Sequence, residues 1–367
     1  MNLAFLAFSA TPFELAQYRH MVTVHPPDRW LQPSLHPVYV RLLCAELRRL
    51  GFSEAQILQG TRLTWDDLHA SNLFLSLEQV RRVVLRALAL SACPWLGLVV
   101  GQSTQLAAHG APGYAAMAAR DVGQVLMVMQ RFVALRQRVA HFEVQTEGGL
   151  ALLLREDLMV DEVREYLMGH ITGALVGLLE TITGQDLRSR VTVHWPFEEP
   201  ACAQAYREFF PHSIFGAPAL RIELPVDLLS CPSLAPDAEA YRVAWRDCER
   251  LLTQQEKGSV TVRVQQRLVA CEGQYPTLEQ MAEIEHVSAR TLIRYLREEG
   301  ATYQQLLDGV REELACWLLV QTPLSVEAIA ERLGYQDTSN FSRTFRRWLG
   351  MTPREFRGST GSLQGSD

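Results

Sequence analysis

The chain has 367 residues, of which 48% are hydrophobic and 21% are charged, and its formal net charge is -6. This composition is typical of soluble globular proteins and excludes a chain that is disordered along its length, and the length suits two domains of ordinary size. The seven cysteines lie singly, with no CxxC pair and no histidine at the spacing of a zinc site. We therefore predict reduced thiols and no metal centre.

Sequence patterns for secretion, membrane insertion and catalysis are absent. The apolar opening MNLAFLAFSA is short and lacks the basic region of a secretory signal. No apolar run approaches the roughly 20 residues that span a bilayer. GxSxG, Walker, HExxH and GxGxxG patterns do not occur. The predicted protein is cytoplasmic, is not membrane-embedded, is not an enzyme and carries no cofactor.

Residues 1–32 are predicted to form an N-terminal extension, and residues 33–230 an α+β domain. Helical spacing of apolar residues begins near Pro33 in HPVYVRLLCAELRRLGF and recurs in SLEQVRRVVLRALAL, VGQVLMVMQRFVALRQ and DEVREYLMGHITGALVGLLETITG. Strand patterns occur in the same region. VAHFEVQTEGGLALLLRED predicts a hairpin that turns at Glu147 to Gly149, and SRVTVHWPF predicts a further strand.

The strand patterns stop at a proline-rich boundary, CPSLAPDAEA. Residues 231–258 are predicted to be a linker containing the amphipathic helix DAEAYRVAWRDCERLLTQQ, which Gly258 ends. Residues 259–357 are predicted to form an all-α domain, and the Gly/Ser-rich residues 358–367 a flexible tail. The predicted fold class is an α+β N-terminal domain followed by an all-α C-terminal domain.

The all-α region contains an internal repeat. Residues 277–300 and 324–350 align with one extra residue in the second turn. The matched pairs are Ala282 with Ala330, Val287 with Tyr335, Leu292 with Phe341, Arg294 with Arg343, and Leu296 with Phe345. A capping box, Thr277 with Gln280, begins the first copy. Each copy predicts a helix, a tight turn and a second helix.

Both second helices are predicted to have a basic outer face. Residues 288–297 contain three arginines and no acid, and residues 338–354 contain four arginines and no acid. Across residues 261–357, by contrast, acids outnumber bases 13 to 12. A single basic face is often only a solvated surface. Two copies with arginine at the matched position favour DNA binding, in which the second helix of a helix-turn-helix enters the major groove.

Two stretches of the C-terminal region carry a family resemblance. IAERLGYQDTSNFSRTFRRWLGMTPREFR and VSARTLIRYLREEGATYQQLLDGVREELACWLL are similar to the AraC/XylS family of transcriptional regulators. LGLVVGQS, HGAPGYAAMAA and QRFVAL resemble the effector-binding and dimerisation domain of one AraC subgroup. The resemblance implies two helix-turn-helix motifs joined by a linking helix, Tyr303 to Leu319. Their recognition helices are expected to enter successive major grooves of double-stranded DNA, about 34 Å apart.

The resemblance also implies which side chains contact DNA. In the major groove, arginine pairs with guanine, and asparagine or glutamine with adenine. The implied base-reading residues are Ser288, Arg290, Ile293 and Arg294 in the first motif and Gln336, Thr338, Ser339, Asn340 and Arg343 in the second. The implied phosphate-binding residues are Arg297, Arg346 and Arg347.

One position departs from the family pattern. Glu285 stands where the family normally has a buried leucine, as Leu333 does in the second copy. An unpaired buried carboxylate is costly, so either Ile284 takes the inward place or Glu285 pairs with an arginine. The departure predicts a first motif that is less rigid, or weaker in reading sequence, than the second.

Position alone selects the candidates for effector binding. His109 lies in a Gly-containing loop, for which a turn role is the commoner explanation, and Tyr114, Arg131 and Phe132 follow it. His170 lies on the inner stripe of its helix and is predicted to be a core residue rather than a ligand. Nothing in the composition or spacing selects the chemistry of the effector.

The sequence therefore predicts a sequence-specific regulator of transcription, an activator by resemblance. Its expected partners are double-stranded DNA, a small-molecule effector, RNA polymerase and a second copy of the chain. Two alternatives stay open. In one, the N-terminal domain only dimerises or binds protein partners. In the other, an enzyme is fused to the DNA-binding unit, as in alkylation-repair proteins, although the cysteines here are too scattered for the zinc-binding cluster of those proteins.

Overall fold

The computed structural model describes residues 30–69, 74–158, 160–271 and 273–361. These residues form two compact units, one comprising 34–69 and 77–253, the other comprising 30–33, 74–76 and 254–361. The predicted N-terminal extension lies outside the described residues except for 30–32, and the predicted tail does so beyond residue 361.

Helices and a five-stranded sheet make up the first unit. Its helices are α1 (Val38–Arg49), α2 (Glu54–Leu58), α3 (Trp65–His69), α4 (Leu77–Ser91), α5 (Leu96–Gln102), α6 (Ala111–Ala118), α7 (Val122–Phe132), α8 (Arg164–Thr183), α9 (Ala203–Phe209) and most of α10 (Ala238–Lys257). The chain also has two short strands, β1 (Pro33–Leu35) and β2 (Leu75–Ser76). The sheet strands are β3 (Ala140–Gln145), β4 (Leu150–Glu156), β5 (Thr192–Trp195), β6 (His212–Phe215) and β7 (Leu220–Leu224). The predicted α+β class is confirmed.

The sheet has the strand order β3-β4-β7-β5-β6. The predicted hairpin is present, since β3 pairs antiparallel with β4 and the turn uses Gly148 and Gly149, whose φ values are 77° and 139°. β4 and β5 pair antiparallel with β7, and β6 runs parallel to β5. Every residue of β4 from 150 to 154 is buried. A strand buried on both faces needs cover on each side of the sheet, which explains its unbroken apolar sequence.

Glycines allow α5 and α8 to pack at close range. A Cβ atom at Gly97 would lie 2.1 Å from the carbonyl oxygen of Tyr166, and one at Gly101 would lie 2.5 Å from that of His170. Such distances are overlaps, so both positions of α5 require glycine. The close contact fixes α5 against the part of α8 that carries Tyr166 and His170.

From residue 259 onward the second unit is all-helical. Its helices are α11 (Val260–Val269), α12 (Leu278–Ile284), α13 (Ala289–Glu298), α14 (Tyr303–Gln321), α15 (Val326–Arg332), α16 (Thr338–Leu349) and α17 (Pro353–Gly361). The helix α17 extends four residues into the segment predicted to be a flexible tail. Throughout the described residues, no single helix is long and apolar enough to cross a membrane, and α4 with α5 meets that test only as a pair bent by 103°.

The core of the second unit joins both motifs to the linking helix. Met281 of α12, Leu292 of α13, Ile329 of α15 and Phe341 of α16 are at most 1% exposed and belong to one cluster with Leu318 of α14. The pairs α12–α13 and α15–α16 are the two predicted helix-turn-helix motifs, and α14 is the predicted linking helix between them.

Candidate nucleic-acid interface and ligand cavity

The two motifs have the same turn. His286 and Gly334 occupy matched positions, and both have left-handed backbone, with φ of 56° and 75°. The same hydrogen bond closes each turn, because the N–H of Val287 donates to the carbonyl of Ala282 and that of Tyr335 donates to the carbonyl of Ala330, each at 2.9 Å. The repeat seen in the sequence is therefore a repeat of backbone conformation.

Side-chain caps begin both recognition helices. The Ser288 hydroxyl accepts the N–H of Thr291 at 3.2 Å at the start of α13, and the Asp337 carboxylate accepts the N–H of Asn340 at 2.6 Å at the start of α16. The extra residue of the second copy, Gln336, lies between the turn and this second cap. The caps fix the first turn of each recognition helix, where base-contacting side chains are expected.

Each recognition helix buries an apolar stripe and exposes the opposite face. Leu292 and Leu296 of α13, with Phe341 and Phe345 of α16, are at most 1% exposed. The predicted DNA-contacting residues found exposed are Ser288, Arg290, Ile293, Arg294, Arg297, Gln336, Ser339, Asn340, Arg343, Arg346 and Arg347. Thr338, in the first turn of α16, is half-buried. The structure thus gathers the predicted residues on two helix surfaces.

Most arginines on these two surfaces form no ion pair within the part of the chain that the structure describes. Among the described residues, those without an ion pair are Arg290, Arg297, Arg343 and Arg346. Arg294 lies 3.8 Å from Glu298 on its own helix, and Arg347 lies 3.9 Å from Asp308 on α14. Both of these pairs are long and both arginine side chains are well exposed, so the pairs neutralise little charge. The positive charge of both surfaces is available for phosphate groups.

Glu285, the residue that departs from the family pattern, is half-buried as a whole, but its side chain is shielded from solvent and paired. Its side chain is 3% exposed, and its carboxylate accepts hydrogen bonds from Nε of Arg263 at 2.8 Å and Nε of Arg267 at 2.6 Å. Ile284 is 39% exposed, so of the two expected arrangements the arginine pairing is the one observed. Burial alone raises a carboxyl pKa, but these hydrogen bonds hold the pKa of Glu285 below its ordinary value. The carboxylate connects the first motif to α11.

Arg311 of the linking helix stacks between two tyrosines. Its guanidinium carbon lies 4.7 Å from the ring centroid of Tyr275 and 5.2 Å from that of Tyr335. Tyr275 precedes α12, and Tyr335 lies in the turn of the second motif. One side chain of α14 therefore contacts the region of both motifs.

Substitution of Arg311 by methionine tests this contact. We expect the free energy of unfolding of the second unit to fall by about 1–2 kcal/mol, because a cation–π contact contributes about 0.5–1 kcal/mol when exposed and about 2 kcal/mol when desolvated. Amide hydrogen exchange of α14 and α16 in the full chain measures the change. Arg354→Met, on the exposed side of α17, is the matched control. Equal protection in the two variants would show that the stacking contributes nothing.

The first unit contains a cavity of about 170 Å³ that is partly open to solvent. Its lining comes from α1, α4, α6, α7, α8, β1, β3 and β4, and from the segments between α5 and α6, between α7 and β3, and before α8. Most of the lining is apolar, as at Leu43, Val84, Phe132 and Leu175. A largely apolar cavity between helices and a sheet, with a few polar groups, is the usual form of a small-molecule site.

The polar lining includes two histidines, two tyrosines and an arginine. The Tyr39 ring centroid lies 5.8 Å from that of His109 and 5.7 Å from that of His170. Arg136 donates from Nε to the carbonyl of His109 at 2.7 Å. Burial, assisted by the charge of Arg136, lowers the pKa of His109 to about 4, and burial lowers the pKa of His170 to about 3. Both imidazoles are therefore neutral near pH 7.

Of the four residues predicted to bind an effector, two line the cavity and two do not. His109 and Phe132 line the cavity. Tyr114 is 54% exposed and lies outside the lining. Arg131 also lies outside it, and its guanidinium binds Glu249 on α10 through two hydrogen bonds of 2.7 and 3.0 Å. Their part in effector binding stays a prediction.

Sequence reasoning missed most of the lining, including the three polar residues that bear most on ligand binding. His170 is 4% exposed, as expected of a core histidine, but it also lines the cavity, as do Tyr39 and Arg136. The arginine in the otherwise apolar stretch FVALRQ was the available signal for Arg136. No sequence signal indicated that Arg136 contacts the loop at Gly110, because the two residues are 26 positions apart and only the fold brings them together.

Comparisons with known proteins find matches in both units. A family model described as the arabinose-binding domain of AraC transcription regulators matches residues 51–233, and a helix-turn-helix domain model matches residues 281–359. The ornithine utilization regulator of Pseudomonas aeruginosa is 30% identical over 88% of this chain and 96% of that protein. The regulator VqsM of the same species is 29% identical over 72% of this chain and 83% of that protein. The crystal structure of the regulator CdpR, also from that species, aligns with 88% of this chain and 98% of that chain at 23% identity and a TM-score of 0.44.

Proposed function

Because this chain belongs to the AraC family of transcription regulators, we propose that it is a sequence-specific activator of transcription, controlled by a small molecule in the cavity of its first unit. The proposal includes action as a homodimer with RNA polymerase in the cytoplasm, and no enzymatic activity. One observation carries it. Two capped recognition helices expose polar and arginine side chains, and most of those arginines have no ion pair among the described residues.

The second motif supplies the clearest division between reading bases and binding phosphates. Arg343 lies at the exposed centre of α16, one turn beyond Ser339 and Asn340. These side chain types match the hydrogen-bonding groups of guanine and adenine in the major groove. Arg346 lies in the last turn of α16 and forms no ion pair among the described residues. We assign Arg343 to base reading and Arg346 to phosphate binding.

Arg343→Ala is expected to lose discrimination between specific and random DNA. A paired contact from arginine to guanine contributes about 1–3 kcal/mol of discrimination, so the ratio of specific to random affinity should fall roughly tenfold or more. Competition binding at one fixed salt concentration measures this ratio, with DNA selected by the wild-type protein from a random pool. An unchanged ratio would remove Arg343 from base reading.

Arg346→Ala is the matched variant for phosphate binding. It should weaken binding to specific and random DNA alike, and the slope of log affinity against log salt should decrease by about 1, because one phosphate contact is lost. Arg347→Ala should act in the same way, since its long pair with Asp308, at 3.9 Å, neutralises little of its charge. Loss of discrimination in Arg346→Ala would reverse the assignment of the two arginines.

Contacts between α7 and α10 support effector control over a purely dimerising first unit. Phe132 of α7 lines the cavity, and its ring packs edge-on against Trp245 of α10 at 4.8 Å. On the adjacent position, Arg131 binds Glu249 of α10. α10 ends at Lys257, immediately before the first helix of the DNA-binding unit. In this proposal, a ligand that displaces Phe132 also shifts α10. That shift is passed along the chain to the start of the second unit.

A further inference from the structure

Arg136 is a cation at the cavity, and it has no acidic partner among the residues that the structure describes. Its guanidinium donates from Nε and Nη2 to the carbonyl oxygen of His109, and it forms no ion pair among the described residues. A neutral carbonyl occupies only part of the five-donor capacity of a guanidinium. Arginine placed in apolar surroundings ordinarily has a carboxylate or phosphate partner. The missing acid is a specific feature of this cavity.

The loop beside Arg136 is shaped to approach it. Gly110 has a φ of 61°, and a Cβ atom there would lie 2.6 Å from Nη2 of Arg136. Any other residue would therefore need both a rare backbone conformation and space that the guanidinium occupies. The loop holds the guanidinium from one side through the His109 carbonyl.

Other titratable groups near the cavity do not neutralise Arg136. The carboxylate in the described lining, Glu156, is bound by Nε and Nη2 of Arg164, each at 3.1 Å. The imidazoles of His109 and His170 are neutral near pH 7. Burial raises the pKa of Tyr39 to about 12, so its phenol also stays uncharged. The cavity therefore keeps a net positive charge.

The cavity volume indicates the size of the part of a ligand that it can bury. A protein cavity of about 150 Å³ holds benzene, and this one measures about 170 Å³. The space suits a body of about six carbon atoms with one small polar group. The aliphatic walls at Leu43, Val84 and Leu175 offer no partners for a row of hydroxyl groups.

We propose that the ligand of this cavity is a compact monocarboxylate with an apolar body, whose carboxylate binds Arg136 and whose body fills the apolar lining. This assignment rests on the proposed function, in which the same cavity receives the effector. The neutral imidazole of His170 and the hydroxyl of Tyr39 provide further hydrogen-bonding groups in the lining. A sugar fits poorly, because most of its hydroxyl groups would be buried without partners.

The test compares acids with their neutral amides on the full-length protein. Benzoate and hexanoate are titrated against benzamide and hexanamide by calorimetry, at pH 7. We expect each acid to bind at least tenfold more tightly than its amide. Arg136→Gln should lose at least tenfold in affinity for benzoate, and Arg136→Lys should lose less because it keeps the charge. Arg155→Gln, an exposed arginine of β4 outside the lining, is the control and should bind like the wild type.

The outcomes separate this assignment from the proposed function. Equal affinity for acids and amides, or failure of both acids to bind, overturns the carboxylate assignment but leaves the Arg343→Ala experiment to decide DNA reading. Undiminished benzoate binding by Arg136→Gln also overturns it. If Arg136→Gln does not fold, the acid–amide comparison on the wild type and the result for Arg136→Lys decide instead.

Discussion

Gly97→Ala is expected to destabilise the first unit by about 3 kcal/mol. The added Cβ atom would lie 2.1 Å from the carbonyl oxygen of Tyr166, a backbone atom that cannot rotate away. Overpacking typically costs about 1–3 kcal/mol, and the cost lies at the upper end where backbone has to move. α5 must separate from α8, which carries Tyr166 and His170 into the cavity lining. Amide hydrogen exchange of α8, followed by mass spectrometry on the full chain, measures this loss.

Gly177→Ala, on α8, is the control. No atom lies within 4 Å of a Cβ atom built at Gly177. Alanine in an unstrained helical position is more favourable than glycine by about 0.5–1 kcal/mol. Exchange in α8 should therefore slow in this variant and accelerate in Gly97→Ala. Exchange that changes in the same direction in both variants would contradict the close packing of α5 on α8.

The helices of the two helix-turn-helix motifs could be predicted from the sequence because local interactions define them. Thr277 and Gln280 form the capping box that begins α12, and they lie only three positions apart in the sequence. The apolar stripe of α16 repeats every third or fourth residue, so Phe341 and Phe345 must share one face and Arg343 another. Each of these relations spans less than two helical turns.

The cavity residues could not be predicted to the same extent, because they meet across long stretches of chain. Position in the sequence suggested Arg131 and Phe132 together, yet neighbours on a helix point about 100° apart. Only Phe132 lines the cavity, while Arg131 faces α10. The contact of Arg136 with the His109 carbonyl joins residues 27 positions apart. Both α6 and α7 lie between them, so no local sequence pattern specifies this contact.

Glu285 shows where sequence reasoning reaches its limit. The repeat identified it as the position of a buried residue, and desolvation required either a partner or displacement. The choice between these depended on Arg263 and Arg267, which precede it by 22 and 18 residues on another helix. Their spacing of four residues places both guanidiniums on one face of α11. The expected weakness of the first motif therefore has a compensating contact.

Glu285→Gln is expected to lower the free energy of unfolding of the second unit by about 2 kcal/mol at pH 7. Glutamine keeps the shape but lacks the charge, and a hydrogen bond to a charged group contributes about 1.5–3 kcal/mol. Glu285 accepts two such bonds, but we expect the total loss to be only about 2 kcal/mol. The side chains of Arg263 and Arg267 are 35% and 47% exposed, so water can replace part of the lost interaction. Exchange of α12 and α13 amides in the full chain measures it. Glu283→Gln, at an exposed position of α12 two residues before Glu285, should have no effect.

The difference in stability between the wild type and Glu285→Gln should depend on pH, and the direction of that dependence follows from the pKa of Glu285. The folded-state pKa of Glu285 is held below its ordinary value, so the unfolded chain takes up a proton first as the pH falls. The stabilisation is complete above the unfolded pKa, about 4.3, and is lost as the pH falls through the lower folded pKa. The gap in stability between wild type and Glu285→Gln should stay constant from about pH 7 to 5 and narrow below about pH 4. A gap that widened on acidification would mean that burial, and not the two arginines, dominates this carboxylate.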